Sequence, residues 1–195
     1  MLLAGCGGTR QDAHEPSGNF AMEVLHASFP AKQSIARPAT FQLAVRNSGT
    51  QAVPNVAVTV DSFNYTSNYP YLASSKRPIW AIEQGPGRNA NPPVESQEVS
   101  QPGNGQTAYV NTWALGRLPA GQTQTFTWKV VPVKAGTYTV HYSVAAGLSG
   151  KAKATLASGG PVQGQLAVSI APAPPITYVN PSTGRVLAGT APTTP

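Results

Sequence analysis

The sequence predicts an all-β protein of two packed sheets, and three observations carry that prediction. Large apolar residues recur at every second position, as in Phe41, Leu43 and Val45, then Val56, Val58 and Val60, then Leu166, Val168 and Ile170. A period of two lines one face of a strand, and no window carries the sustained apolar stripe of a helix. Gly and Pro number 19 each in 195 residues while charged residues make up 10%, a composition of short strands and many turns. Finally, Thr125 to Val144, TFTWKVVPVKAGTYTVHYSV, reads as a hairpin of two alternating strands. Phe126, Trp128 and Val130 line one strand, and Tyr138, Val140, Tyr142 and Val144 the other. A lone hairpin is marginal in water, so this apolar face requires a second sheet above it.

Taken in order, residues 1–19 read as a truncated signal segment and polar tether, 20–171 as one domain, and 172–195 as a Pro/Thr-rich flexible tail. Residues 20–29 give a first strand, with Met22 and Val24, then Ala27 and Phe29, turned inward. Residues 39–46 give a second, closed by Asn47-Ser48-Gly49-Thr50, whose Asn and Gly tolerate turn geometry. The valine strand follows. Beyond the insertion described below, residues 107–114 read as a strand, and Leu118-Pro119-Ala120-Gly121 leads into the central pair. Ala145 to Gly150 turns the chain, and Lys151–Leu156 and Gln165–Ile170 close the set.

Two of these blocks carry a resemblance. FQLAVRNSGTQAVPNVAVTVDSF and LPAGQTQTFTWKVVPVKAGTYTVHYSVAAG resemble the immunoglobulin-like repeat domains of bacterial surface proteins, the group that includes the CARDB (cell-adhesion-related) domain. Ala135-Gly136-Thr137-Tyr138 also resembles the tyrosine corner of immunoglobulin folds, with Tyr138 two positions before Val140. The resemblance implies an immunoglobulin-like β-sandwich and supplies no catalytic residue.

Residues 63–106 interrupt the pattern as a long Pro/Gly/Asn-rich insertion between strands. Long irregular segments in compact domains are usually functional or disordered, so function is sought here first. Tyr65, Tyr69, Tyr71 and Trp80 are the candidate ligand- or partner-binding residues, forming an aromatic platform; the alternative is that they pin the insertion to the edge of the sandwich.

The N-terminal segment carries a second signal. Leu3-Ala4-Gly5-Cys6 resembles the lipobox of bacterial lipoproteins, and Cys6 is the only cysteine. The resemblance implies a diacylglycerol on Cys6 and an extracytoplasmic, lipid-anchored location at the bacterial cell envelope. A signal peptide needs a basic start and an apolar run, and only Met1–Gly5 precede Cys6, so either the true start lies upstream of Met1 or the resemblance is chance.

Chemistry-bearing residues are sparse. One cysteine excludes an intrachain disulfide. The net charge of +6 comes from scattered Lys and Arg, without the basic cluster of a nucleic-acid-binding protein. Of three histidines only His141 stands as a base, on the polar face of a strand, and Glu95 and Glu98 are the one close pair of acids in the folded region. No metal, cofactor or catalytic residue is assigned, and the chain is read as non-enzymatic.

The expected function is thus a lipid-anchored, cell-surface module, structural or adhesive, that presents its insertion to an envelope protein or cell-wall glycan. The rivals are an accessory subunit of an envelope secretion, assembly or transport complex, and a carbohydrate-binding or hydrolytic protein using the insertion's aromatics. Oligomeric state stays open.

Overall fold

The computed structural model describes residues 12, 14–64, 78–87, 107, 111–172 and 176–189. Strands β1 (Gly18–Ser28), β2 (Lys32–Ser34), β3 (Ala39–Asn47), β4 (Ala57–Val60) and β5 (Phe63–Asn64) precede the insertion's undescribed first part. After it come β6 (Trp80–Gln84), β7 (Thr112–Ala114), β8 (Thr123–Pro132), β9 (Gly136–Ala145), β10 (Ala152–Thr155) and β11 (Gln163–Ala171). Two short strands, β12 (Thr177–Val179) and β13 (Val186–Ala188), end the order.

They form a six-stranded sheet, β10-β1-β3-β8-β6-β5, facing a five-stranded one, β2-β11-β9-β4-β7. The central orders β1-β3-β8-β6 and β11-β9-β4 correspond to A-B-E-D and G-F-C of an immunoglobulin sandwich, so the fold is an all-β immunoglobulin-like β-sandwich. The alternation seen in sequence sets the inner faces. Phe41, Leu43, Val45, Val58, Val60, Phe126, Trp128, Val130 and Val140 are all fully buried.

The first strand explains its own change of parity. Its pairing with β3 shifts between Val24 and His26, a bulge that exposes Leu25 and returns Ala27 and Phe29 to the inner side. The chain then crosses to the other sheet as β2, which runs parallel to β11.

The central pair departs from the expected hairpin. Strands β8 and β9 do not pair: β8 lies between β3 and β6, whereas β9 lies between β11 and β4 in the opposite sheet. Alternation fixes which side of a strand is buried but not which strand lies beside it, and two strands facing each other across a core show the same pattern as a hairpin. The link Val133–Ala135 is a corner between sheets. It is held by the Tyr138 hydroxyl, which donates to Ala135 O (2.7 Å), the bond of a tyrosine corner.

Aromatic rings fill the core around Trp128. Phe41 stacks on it with centroids 5.0 Å apart, and Trp113 of β7 meets it edge to face at 5.4 Å. Asn47 is a fully buried polar residue at the end of β3, with its amide N–H groups donating to Gln51 O and Leu118 O and its carbonyl accepting the Gly49 N–H.

Elsewhere the structure trims or extends the expected strands. Regular structure near residue 112 covers Thr112–Ala114, while Ala108, Tyr109 and Val110 lie outside the described residues. The expected flexible tail contains the hairpin β12–β13, paired Thr177 with Ala188 through Val179 with Val186 around an Asn180 turn. Among the described residues no helix is long and apolar enough to cross a membrane.

Candidate functional site

Two places in the fold gather the residues that sequence reasoning singled out. The first is the mouth of the insertion, at the edge of the six-stranded sheet. Strand β5 runs parallel to β6, with Phe63 opposite Trp80 and Asn64 opposite Ala81. The chain thus leaves and re-enters the body on adjacent strands, and the segment between them is held at both ends by sheet hydrogen bonds.

Trp80 is one of those ends, and it corrects the expectation of an exposed platform. The residue is fully buried, and its ring meets Phe29, Phe63 and Tyr138 at centroid distances of 5.5, 5.9 and 5.8 Å. Its indole N–H donates to Gln33 Oε1 (2.7 Å), while Gln33 Nε2 donates to Pro30 O (2.9 Å). With its edge satisfied and its faces packed, Trp80 closes the side of the sandwich and has no face to offer a ligand. Tyr65, Tyr69 and Tyr71 lie outside the described residues, as do Cys6, Glu95 and Glu98.

The second place is a cleft of about 350 Å³ on the outer face of the five-stranded sheet, lined mainly by Thr59, Asp61, His141, Ser143, Gln163 and Gln165. Strand register assembles it. Ser143 of β9 lies opposite Thr59 of β4 on one side and Gln163 of β11 on the other, and His141 lies opposite Gln165. Neighbouring strands are about 4.8 Å apart, so these side chains form a close polar grid.

Asp61 sits at the corner of the grid just past β4. Its Oδ1 accepts the backbone N–H of His141 (3.1 Å) and the Ser62 hydroxyl (2.9 Å), and its own N–H donates to His141 O (3.2 Å). The carboxylate therefore continues the sheet ladder and does not reach the imidazole, so Asp61 and His141 are not built as an acid–base pair. Beneath the grid, Tyr142 lies against Gly164, which it faces across the ladder; a side chain at Gly164 would overlap the Tyr142 hydroxyl. Burial raises the Tyr142 pKa, keeping the phenol neutral. Among the described residues no three His, Cys, Asp or Glu side chains are grouped as metal ligands.

Asp61, at one corner of the cleft, leads through Ser62 directly into β5. Sequence reasoning had His141 but not Asp61, Gln163 or Gln165. The period-two pattern marks all of them as outward, and only the strand order shows which are neighbours.

No protein-family model matches the sequence, and no curated protein matches it. Solved structures are similar in architecture. The CARDB domain of the PF1109 protein from Pyrococcus furiosus, solved in complex with di-metal ions, is 15% identical, covers 79% of this chain and 94% of that one, and has a TM-score of 0.43. An ASH/PapD-like domain of human CEP192 is 13% identical, covers 89% of this chain and 100% of its own, with a TM-score of 0.44. Native alpha-2-macroglobulin from Escherichia coli is 12% identical and covers 86% of this chain but 21% of that one, with a TM-score of 0.42.

Proposed function

We propose that the chain is a non-catalytic immunoglobulin-like module, anchored through Cys6 to the outer side of a bacterial membrane, that presents residues 65–77 to an envelope protein or cell-wall glycan. The observation that carries this reading is the parallel pairing of Phe63 with Trp80. A segment pinned at both ends on adjacent strands of a rigid sheet is a loop held for display, and binding residues are commonly carried on loops that a scaffold positions. The polar cleft at Asp61, two residues before β5 in the chain, offers hydroxyl, amide and imidazole groups as well. The lipobox-like Leu3-Ala4-Gly5-Cys6 supports the location.

The test replaces Tyr65, Tyr69 and Tyr71 together by Ala and measures retention of the purified chain on isolated envelope material. Retention should fall while the thermal midpoint stays within about 2 °C of the parent, because on the display reading these side chains serve binding and not packing. Unchanged retention would refute the display role. Fractionation of the full native reading frame beside a Cys6→Ala control reads the anchor separately, and an equally soluble pair would remove it.

A further inference from the structure

The body is closed at its N-terminal end by a side chain that the sequence places in a solvated tether. Glu15 lies outside every strand, yet its carboxylate accepts four backbone N–H groups from one loop. Oε2 takes those of Leu148 (2.5 Å) and Ser149 (2.8 Å), and Oε1 takes those of Lys151 (3.1 Å) and Ala152 (2.9 Å). Successive main-chain N–H groups aimed at one point form a concave anion site. Hydrogen bonds to an ionised acceptor are about twice as strong as neutral ones.

Two further observations show that loop and carboxylate fit each other. A Cβ added at Gly147 would overlap the Glu15 carboxylate, so this floor position has to be glycine for the group to enter. Immediately beyond, the Gly18 N–H donates to Lys151 O (3.1 Å) and opens the parallel pairing of β1 with β10, Gly18 opposite Ala152. That ladder runs only from Gly18 to Ala21 at a sheet edge, and a short parallel ladder specifies its register weakly. The carboxylate fixes the register before the ladder begins.

We propose that Gly147–Ala152 is a carboxylate-binding nest whose occupant is the chain's own Glu15, and that this contact latches the N-terminal tether to the sandwich. The folded body then holds the tether ahead of β1, at Glu15, with Asp12 buried just upstream. The nest recognises a carboxylate as such, because four main-chain N–H groups, joined by the Ser149 hydroxyl, converge on it and no cationic side chain pairs with Glu15 among the described residues.

Residue-by-residue amide hydrogen exchange on the full chain tests this with Glu15→Ala, Glu15→Gln and Gly147→Ala. In the parent the amides of Leu148, Ser149, Lys151 and Ala152 exchange slowly. Glu15→Ala should speed all four by about tenfold or more, the loss expected when a charged acceptor is removed, while amides within β9 and β11 hold. Gly147→Ala should do the same with the glutamate still present, because the entry is blocked. Sodium acetate at a few hundred millimolar should restore part of the protection in Glu15→Ala, and sodium chloride at equal ionic strength should not. Exchange in Glu15→Ala within twofold of the parent overturns the latch, and equal effects of acetate and chloride overturn the nest as a carboxylate site. If Glu15→Ala also deprotects β9 and β11, Glu15→Gln decides: its amide supplies one acceptor oxygen, so it should lose protection partially at the same four amides, and parent-like exchange there overturns the latch.

Discussion

Replacing Asn47 by Ala should cost the fold about 2–4 kcal/mol, and the figure follows from how its three side-chain hydrogen bonds are shared. Asn47 is fully buried where β3 ends, and its Nδ2 donates to Gln51 O (2.8 Å) and Leu118 O (3.0 Å) while its Oδ1 accepts the Gly49 N–H (3.0 Å). Three net contributions of about 1 kcal/mol each give the centre of the range. Two partners keep a second bond after truncation, since Leu118 O still accepts from Val53 N (2.9 Å) and Gly49 N still donates to Ala21 O (3.2 Å). Only Gln51 O is left bare, which keeps the cost below that of three orphaned groups. Asn47→Asp should be worse than Ala near neutral pH, because it points a carboxylate oxygen at two carbonyls in a fully buried site. Urea unfolding with unchanged slope reads both variants. A loss under about 0.5 kcal/mol for Ala, typical of an inert surface site, or an Asp variant no worse than Ala, would refute this account of how the two loops are joined.

Four further outcomes rest on separate contacts. Tyr138→Phe removes the bond to Ala135 O and keeps the ring against Trp80, so the urea midpoint should fall by the equivalent of about 1 kcal/mol, and a loss several times larger would mean the ring is placed by its hydroxyl. Trp80→Ala should cost about 3–5 kcal/mol as a core truncation, and a melting curve close to the parent's would contradict its burial. Gly164→Ala should cost about 1–3 kcal/mol by overpacking against Tyr142, and a Tyr142→Val background should relieve part of that cost in a double-mutant cycle. For Glu15, burial raises the carboxyl pKa, but hydrogen bonds from Ala152, Ser149 and Leu148 outweigh it and hold the value below the ordinary one. The folded state therefore binds that proton less tightly than the unfolded chain does. The contribution of Glu15 to stability is complete above the ordinary glutamate value and fades as pH falls through the lowered one. Parent and Glu15→Gln stability curves should converge towards low pH, and a gap constant from neutral to strongly acidic pH would refute the hydrogen-bonded carboxylate.

The burial of the long alternating strands was legible from sequence because alternation reports it directly. Phe41, Leu43 and Val45, like Val56, Val58 and Val60, lie inside as their spacing implied, and even the bulge in β1 showed as a change of parity between Val24 and Ala27. Strand neighbours were not legible. Val133-Lys134-Ala135 connects two alternating runs whether they pair side by side or face each other, and the deciding contact, Tyr138 to Ala135 O, is one hydrogen bond in a corner. The C-terminal hairpin was missed for another reason: its register is set by Asn180 accepting from Ser182 (2.9 Å), local turn chemistry that a search for apolar periodicity passes over.

Side chains that serve the candidate surfaces were harder still, because each depends on a main-chain partner that residue type does not reveal. An aromatic residue in a proline-rich insertion suggests display, yet Trp80 opens a strand, and its indole N–H found Gln33, distant in the chain. An acid in a polar tether suggests solvation, yet Glu15 meets four N–H groups from Leu148, Ser149, Lys151 and Ala152 that any residues at those positions would supply. The traces the nest leaves in sequence are Gly147 and Gly150, the latter at positive φ, and both read equally well as turn residues. Two such glycines, Gly147 under Glu15 and Gly164 under Tyr142, mark places where a side chain from another element occupies the space a Cβ would fill. The first joins the tether to the sandwich and the second floors the polar cleft. Substitution at the first should therefore act on how the tether is held and at the second on stability, although both positions are simply glycine in the sequence.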